Sequence, residues 1–235
     1  MNTAVFVFHH GLEFFLPGPG HENPLSLEFE DHQTVKHLIE ALGVPHVEVG
    51  EVNANGRPVS FGYKPRHGDQ IDIQPDATSR PANLAFIVDC HLGRLAAYLR
   101  MFGFDTLYRA DYQDDELAEV AATENRILLT RDRRLLMRKT LRYGYCPRSL
   151  EPNEQLTEII HRYDLLDHAR PFTRCLRCNA SLEPVAKETI LHRLQPLTRQ
   201  YFDEFAHCPA CDQVYWKGSH HEHMQKLMER AKNDT

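Results

Sequence analysis

Four cysteines in the last third of the chain have the spacing of a metal site. Cys175 and Cys178 form one Cys-x-x-Cys pair, Cys208 and Cys211 form another, and 208 − 178 − 1 = 29 residues separate the pairs. Each pair presents two thiolates to one ion, and two pairs complete the tetrahedral shell that Zn²⁺ prefers. Tandem redox motifs are the alternative, but a redox pair normally opens a helix of its own βαβ unit. The spacing therefore predicts a structural zinc site, and the long gap predicts an extra hairpin or short helix within residues 182–200.

Aromatic and histidine residues follow the second cysteine pair. Tyr215 and Trp216 have two interpretations. In the first, they stack on a nucleic-acid base, an interaction worth roughly 1–3 kcal/mol per base. In the second, they pack over the small zinc core. His220, His221 and His223 are interpreted as surface residues in preference to a further metal site, and His220 is also a candidate for contact with RNA or with the edge of the active site.

Acidic residues follow buried apolar segments in the middle third of the chain. Asp89 directly follows residues 84–88, Asp132 follows the apolar run 127–130, and the acids at 114–116 open a predicted helix. In a parallel sheet, ligands gather beyond the carboxyl ends of the strands, so these acids are expected at one edge. Carboxylates held together repel unless a hard cation such as Mg²⁺ or Mn²⁺ neutralises them. Such an ion can generate hydroxide and stabilise displacement at a phosphodiester.

Each of these acids also has a purely structural interpretation. Asp114 and Asp132 stand where a helix N-cap is expected, and Asp115 and Glu116 stand where first-turn acids interact favourably with the helix dipole. Asp89 is harder to explain in this way, because a carboxylate that ends a buried strand needs a partner. The residue types and spacing alone leave both interpretations open.

Charge is distributed unevenly along the chain. The formal net charge is −6, and residues 1–80 alone hold eleven acids and five bases, so that 5 − 11 = −6. Residues 126–148 hold eight bases against the single acid Asp132, a local charge of 8 − 1 = +7. Such a segment is typical either of a solvated helix face or of a surface that binds a phosphate-bearing partner, because Lys and Arg displace its counterions.

The elements that must position these residues fall into three predicted domains, at 1–78, 83–165 and 170–228. The first reads as two strands, a helix that follows Thr34 and ends before Gly43, and several short strands that include residues 47–49. In the second, strands at 84–88, 104–108 and 127–130 alternate with helices at 91–102 and 114–124, which predicts an α/β fold with a parallel sheet. Helices at about 131–140 and 152–163 complete it, and the third domain is the zinc ribbon.

The first domain resembles a known family of small β-rich modules. The segments Leu42-Gly43-Val44-Pro45, Asn55-Gly56 and Gly68-Asp69-Gln70-Ile71 resemble the β-grasp, ubiquitin-like sulfur carriers. Those carriers act through a free C-terminal Gly-Gly, whereas this chain continues through residues 74–81, so sulfur transfer is not expected. The resemblance implies a β-grasp domain that contacts a protein partner or docks RNA.

The rest of the chain resembles an RNase family. The motifs, in chain order, are Phe86-Ile87-Val88-Asp89, Leu92-Gly93-Arg94-Leu95-Ala96, Leu99-Arg100, Gly103-Phe104-Asp105, Asp114-Asp115-Glu116-Leu117, Ile127-Leu128-Leu129-Thr130-Arg131-Asp132, the two cysteine pairs, and Tyr215-Trp216-Lys217-Gly218-Ser219-His220. Together they resemble the Mut-seven C-terminal RNase domain, a PIN-like nuclease family, over about residues 84–225. A β-grasp domain fused to this domain is an arrangement associated with the same family.

This resemblance implies a catalytic site. Asp89, Asp115 and Asp132 would hold a catalytic Mg²⁺ or Mn²⁺, and Asp114 or Glu116 are alternatives. A fourth acid, usual in PIN-like nucleases, has no clear counterpart, although Glu151 and Glu154 are candidates. The arginines near the acids in sequence are candidates for holding substrate phosphate with two hydrogen bonds each; they are Arg94, Arg131 and Arg133.

The sequence therefore predicts a metal-dependent ribonuclease with RNA as its substrate. The alternative is a non-catalytic RNA- or ribosome-binding protein that keeps the PIN-like fold. No stretch approaches the roughly 20 apolar residues of a membrane span, and two Cys-x-x-Cys pairs fit a reducing compartment, so a cytoplasmic protein is expected. The identity of the RNA, the number of catalytic metals and the oligomeric state stay open.

Overall fold

The computed structural model describes residues 1–18, 23–218, 221, 225–227 and 229 of the chain. The chain forms two compact units, and neither follows a single stretch of sequence. Unit 1 contains Met1–Asn83 and Tyr112–Arg148, and unit 2 contains Leu84–Asp111 and Ser149–Thr235. Within the described ranges, no helix has both the length and the apolar character needed to span a membrane.

The described residues form a mixed α/β protein. The strands are, in chain order, β1 (Asn2–Phe8), β2 (Leu25–Phe29), β3 (Val49–Ala54), β4 (Arg57–Pro58), β5 (Gln70–Pro75), β6 (Ala85–Val88), β7 (Asp105–Tyr108), β8 (Ile127–Leu129), β9 (Gly144–Tyr145), β10 (Glu183–Val185), β11 (Phe205–His207) and β12 (Val214–Trp216). The α-helices are α1 (Val35–Ala41), α2 (Gly93–Met101), α3 (Asp114–Thr123), α4 (Arg133–Leu136), α5 (Pro152–Tyr163), α6 (Lys187–Ile190) and α7 (Pro196–Tyr201). Short 3-10 helices include His46–Glu48 and Cys90–Leu92.

Alternating apolar residues build the sheet of residues 1–75 in unit 1. Phe6 and Phe8 on β1 and Ile71 and Ile73 on β5 are almost completely buried, as expected when every second side chain points to the core. The strand order is β2-β1-β5-β3-β4, with β1 antiparallel to β2 and parallel to β5. Helix α1 buries its apolar face, including Ile39. This arrangement confirms the predicted β-grasp domain.

The ends of helix α1 agree with the sequence, but the next segment differs. The Thr34 hydroxyl accepts a hydrogen bond from the His37 backbone N–H at 3.3 Å, and Gly43 follows the helix with φ 95°. The predicted short strand at 47–49 is wrong, because His46–Glu48 forms a 3-10 helix. Glu48 is only 4% exposed. Its carboxylate is buried because it accepts a hydrogen bond from Cys146 N–H and pairs with Arg148 within unit 1.

The later part of unit 1 contains one parallel strand pair and two helices. Strand β8 is completely buried and pairs in parallel with β9. Strand β9 has only two residues, and the sequence did not predict it. Helix α4 is shorter than the predicted 131–140, because the backbone tightens at its end. Met137 and Arg138 donate to the carbonyls three residues before them, at 3.1 and 3.2 Å, which is the 3-10 pattern common at helix ends.

Unit 2 contains a second parallel strand pair with helices packed on it. All four residues of β6 are buried, and β6 pairs in parallel with β7. Helix α2 buries Leu95 and Leu99, and helix α5 buries Ile159 and Tyr163. Tyr163 meets Phe86 of β6 edge to face, with ring centroids 6.1 Å apart. The parallel strand pairs and flanking helices confirm the predicted α/β class.

The last part of unit 2 is a small antiparallel sheet around its own core. Its strand order is β10-β11-β12, and Ile190, Leu194, Phe205 and Val214 form the buried cluster. Helices α6 and α7 lie in the segment between the cysteine pairs, which confirms the short helix predicted for residues 182–200.

Candidate metal centres and active site

The four predicted zinc ligands lie together. The Cys175 and Cys211 sulfur atoms are 3.5 Å apart, and the Cys178 and Cys208 sulfur atoms are 3.4 Å apart. All four lie within 4.8 Å of one another. A tetrahedral zinc ion with Zn–S bonds of about 2.3 Å separates its sulfur ligands by about 3.8 Å. The four-cysteine centre therefore has the donor set and the size of a structural zinc site.

Two turns of the same design present the sulfur atoms. Asn179 N–H donates to the Cys175 carbonyl at 2.9 Å, and Asp212 N–H donates to the Cys208 carbonyl at the same distance. Asn179 and Asp212 both have positive φ, 70° and 60°, which Asn and Asp tolerate better than most residues. The chain thus reverses in the same way after each cysteine pair and brings two thiols from each turn to one point.

The thiols of the centre differ in their electrostatic environment. Burial raises the pKa of Cys175, but hydrogen bonds from the Tyr215 hydroxyl and from nearby backbone N–H groups outweigh it and lower this pKa to about 6. Burial and hydrogen bonds with the neighbouring thiols raise the pKa of Cys211 to about 12. A divalent cation replaces the protons of such thiols when it binds.

A buried arginine joins the four-cysteine centre to strand β7 within unit 2. Arg100 of α2 is 4% exposed. Its guanidinium donates to the carbonyls of Thr106, Leu176 and Arg177 at 2.9, 3.0 and 3.1 Å. Burial lowers the pKa of Arg100, while the thiols of the centre and Asp105 act in the opposite direction. Arg100 therefore provides a cation next to the four-cysteine centre.

Asn179 makes a second connection of the same kind. Its side-chain oxygen accepts from Thr106 N–H at 3.0 Å, and its side-chain nitrogen donates to Asp105 at 2.8 Å. Sequence analysis placed Arg100 in a family motif without giving it a role, and it did not single out Asn179. The available signal was an arginine between Leu99 and Met101 on the apolar face of a helix, where a charged residue needs a buried partner.

Asp89 caps the 3-10 helix that follows strand β6. It is 8% exposed, and its Oδ1 atom accepts hydrogen bonds from the backbone N–H of His91 at 3.4 Å and lies 3.2 Å from the His91 ring. Its presence raises the pKa of the Cys90 thiol through a hydrogen bond, with burial adding to the effect. Capping is thus the structural reason for Asp89 that the sequence did not reveal.

Asp132 and Asp115 also have structural partners. Asp132 is exposed and caps helix α4, with Oδ1 accepting from Arg134 and Leu135 N–H at 2.8 and 3.2 Å. Asp115 is 89% exposed and forms an ion pair with Arg138. The cap of helix α3 is Gln113, in a capping box with Glu116, so Asp114 is the first helical residue and not the cap.

The candidate phosphate-binding arginines differ in what they contact. Arg94 is exposed on α2. Arg131 donates to the carbonyls of Pro147 and Arg148 at 2.9 and 3.0 Å. Arg133 donates to the carbonyls of Phe15 and Phe14 at 2.8 and 3.2 Å and lies over both rings. Arg131 and Arg133 therefore use part of their donor capacity to hold unit 1 together.

Metal-ligating groups in the described residues form two compact sets. One is the four-cysteine centre, and the other is the Asp89, Cys90 and His91 set, whose ligand atoms lie within 4.8 Å of one another. Glu151 and Glu154, the candidates for a fourth acid, are exposed at the start of α5, where Glu154 accepts from the Ser149 hydroxyl.

The residues after the second cysteine pair belong to the ribbon. The Tyr215 hydroxyl lies 3.1 Å from the Cys175 sulfur and accepts from Leu176 N–H at 3.1 Å. Trp216 is 37% exposed and lines a cleft of about 510 Å³ on unit 2 together with Phe172 and Phe205. Tyr215 thus packs at the four-cysteine centre, as one of its two interpretations predicted. His220 and His223 lie outside the described residues.

Comparison with known proteins identifies the family. Residues 84–228 match the family described as the Mut7-C RNAse domain, and residues 1–80 match the one described as Mut7-C ubiquitin. No curated protein and no solved structure matches the chain. The first match covers 228 − 84 + 1 = 145 of the 235 residues. The chain therefore belongs to the Mut7-C RNAse domain family, with the Mut7-C ubiquitin-like domain at its N-terminal end.

Proposed function

We propose that this chain is a metal-dependent ribonuclease that hydrolyses RNA phosphodiester bonds. The match of residues 84–228 to the Mut7-C RNAse domain carries the proposal. In it, Asp89, Asp115 and Asp132 hold Mg²⁺ or Mn²⁺, hard cations that prefer carboxylate oxygens and retain water. The bound ion supplies a polarised phosphodiester and an activated water.

The known contacts of the three acids are compatible with this role. A carboxylate has two oxygens and about four acceptor sites, and the backbone hydrogen bonds described for Asp132 all reach Oδ1. Capping also fixes the rotamer of Asp132, which orients the carboxylate before an ion arrives. The Asp115 ion pair with Arg138 is mostly solvent-exposed, so it costs little to exchange for a cation.

The chain's own cations serve the substrate in this proposal. Arg94 is exposed and offers its guanidinium to a phosphate group, and Arg131 and Arg133 contribute positive charge while keeping their carbonyl contacts. Arg134, Lys139 and Arg142 are also exposed and add sequence-independent attraction for RNA. Trp216 can stack with a base at the ribbon cleft. A protein partner of the β-grasp domain is part of the same proposal.

We also propose that the four-cysteine centre holds a structural Zn²⁺. Four thiol ligands leave no open position for substrate, so the ion stabilises the ribbon and takes no part in catalysis. The spacing of the sulfur atoms and the paired turns support this proposal.

Asparagine substitutions test the catalytic role without removing the caps. Asn caps a helix about as well as Asp, so Asp89→Asn and Asp132→Asn should keep the fold while lowering the rate of RNA cleavage. We expect a loss of at least about 100-fold, the scale of one lost transition-state contact, and a comparable loss with EDTA. The assay is cleavage of end-labelled RNA in Mn²⁺, with exposed Asp111→Asn as the matched control. Cleavage that resists both EDTA and the aspartate substitutions would rule out the proposed mechanism.

The alternative is an RNA-binding protein without turnover. Two observations favour it: each proposed ligand already has a structural partner, and Glu154 is engaged by Ser149. RNA bound tightly and left intact in Mg²⁺ and Mn²⁺, with the same affinity for the Asp132→Asn variant, would select this alternative.

A further inference from the structure

Three consecutive residues of unit 2 direct three different kinds of metal-ligating atom towards one another. His91 Nδ1 lies 3.2 Å from Asp89 Oδ1 and 3.3 Å from Cys90 Sγ. Successive side chains of an extended chain point in opposite directions. Their convergence therefore requires a local turn, and one is present directly after strand β6.

This turn is held by contacts that need no ion. The carbonyl of Asp89 accepts from Leu92 N–H at 2.9 Å and closes the 3-10 turn. The Tyr108 hydroxyl donates to the Cys90 carbonyl at 3.1 Å. A Cβ atom on Gly93 would lie 2.7 Å from the same hydroxyl, so a glycine at 93 lets Tyr108 reach the turn. The backbone is thus organised in advance, which lowers the cost of ordering ligands on binding.

We propose that Asp89, Cys90 and His91 bind one thiophilic divalent ion such as Zn²⁺, with water completing the shell. A tetrahedral zinc ion with ordinary bond lengths separates nitrogen from oxygen ligands by about 3.4 Å and nitrogen from sulfur ligands by about 3.6 Å. The observed separations are close to these values. Thiolate and imidazole select Zn²⁺ over Mg²⁺, which prefers oxygen ligands alone.

The proposed ion site is distinct from the two sites described above. It shares no residue with the four-cysteine centre, and of the proposed Mg²⁺ or Mn²⁺ ligands it shares only Asp89. The His91 side chain is 79% exposed and the Asp89 side chain is 12% exposed. An ion therefore reaches the site from the His91 side, and it is held by fewer thiolates than the four-cysteine centre provides.

A titration of the full-length protein tests the site directly. Protein loaded with one zinc ion per chain is titrated with further Zn²⁺ in a buffer that does not bind metals, and heat and bound zinc are measured. We expect uptake of one additional ion per chain. Loss of a direct ligand in His91→Ala or Cys90→Ser should weaken this uptake by at least the roughly 10–100-fold that loss of an outer-shell partner costs.

The control is His168→Ala, which removes an exposed histidine of unit 2 outside the cluster. Its uptake should equal that of the wild type. His91 is exposed, so His91→Ala decides the result even where Cys90→Ser alters the fold. Absence of a second ion, or unchanged uptake in His91→Ala, overturns the proposal.

One consequence rests on the proposed function. An ion at this site takes the Asp89 carboxylate, so Zn²⁺ should inhibit Mn²⁺-dependent RNA cleavage in the wild type and inhibit His91→Ala much less. Zinc uptake without inhibition would support the proposed zinc site and contradict the role of Asp89 in RNA cleavage. The binding measurement contains no RNA, so the two failures are distinguishable.

Discussion

Units 1 and 2 each join an accessory segment to part of the nuclease domain, but they use different chemistry. In unit 1, the buried Glu48 of the β-grasp segment accepts two hydrogen bonds from Arg148, both at 3.0 Å. Burial lowers the pKa of Arg148, but its contacts with Glu48 outweigh this and raise it. In unit 2, Arg100 donates to the Thr106 carbonyl and to the carbonyls of Leu176 and Arg177, which lie between Cys175 and Cys178.

This difference shows which group balances the positive charge of the arginine in each unit. The cation of unit 1 has a carboxylate from the chain itself, so its connection requires nothing else. Arg100 has neutral acceptors, and four thiolates around one divalent ion carry a net charge of −2 that can balance it. We therefore expect the connection in unit 2 to depend on metal and the connection in unit 1 not to.

Loss of the metal ligand Cys208 should have the largest effect and should be confined to unit 2. Cys208 is fully buried, and structural zinc contributes apparent binding free energies of about 10–16 kcal/mol in small zinc-finger peptides. We expect Cys208→Ser to lose zinc and the hydrogen-exchange protection of β10, β11 and β12, while β1 to β5 stay protected. Mass-spectrometric hydrogen exchange and zinc content check this. Equal loss of protection in β1 to β5 would remove the contrast between the units.

Two glycines that follow helices provide a matched test of packing. Gly43 and Gly103 have φ of 95° and 93°, where an alanine costs about 1–2 kcal/mol. A Cβ on Gly103 would lie 2.0 Å from the Arg170 carbonyl oxygen, whereas one on Gly43 would lie 3.0 Å from that of Phe15. We expect Gly103→Ala to destabilise by about 1–3 kcal/mol more than Gly43→Ala, the usual cost of overpacking. Urea unfolding of the zinc-saturated variants measures the difference, and equal losses would contradict it.

Glu48→Gln should destabilise unit 1 independently of zinc. It leaves Arg148 without its carboxylate, and breaking a fully buried pair costs about 3–5 kcal/mol. The Arg148 side chain is 25% exposed, so we expect a smaller loss of about 2–3 kcal/mol. The same free-energy loss should be found with and without a zinc chelator, and exposed Glu51→Gln should be neutral. A loss of stability that appears only after chelation would contradict the expectation that the Glu48 and Arg148 pair is independent of zinc.

Arg100→Lys should have the smallest effect and should be linked to zinc. Lysine keeps the positive charge but not the planar fork that reaches three carbonyls, and a net hydrogen bond is worth about 0.5–1.5 kcal/mol. We expect a loss of about 1–2 kcal/mol together with weaker zinc binding, measured by competition with a chromophoric chelator. Exposed Arg94→Lys on the same helix is the control. Unchanged zinc affinity in Arg100→Lys would show that the Arg100 contacts and zinc binding are not linked.

Sequence reasoning worked where the signal is local. Helical periodicity predicted α1, α2, α3 and α5, and each Cys-x-x-Cys pair was recognisable, because both signals depend on residues a few positions apart. The two pairs are 29 residues apart, but the preference of zinc for four ligands predicted that they meet. It failed at β9, whose two residues have no periodicity, and at residues 47–49. There the alternating pattern indicated a strand, but the Glu48 carboxylate is buried by partners about 100 positions away.

At the candidate site, too, the sequence predicted local contacts but not contacts between residues distant in the chain. Asp89, Asp115 and Asp132 stay predicted ligands, and for Asp132 the structure confirms the alternative interpretation of a helix cap, which is a contact over two or three residues. The sequence did not show that Arg133 contacts Phe14 and Phe15, more than 110 positions earlier. Nor did it show that Cys90 and His91 turn towards Asp89. A basic run therefore predicted a charged surface, while the structure assigns several of its members to internal contacts.

The interleaving of the two units has a consequence for folding during synthesis. Once Arg148 has left the ribosome, every residue of unit 1 is available, including the Glu48 and Arg148 pair. Helix α2 belongs to unit 2 and packs on α5, which is synthesised after Ser149. The apolar face of α2, which includes the fully buried Leu95 and Leu99, lacks this partner during that interval, which is the condition under which nascent chains need chaperones.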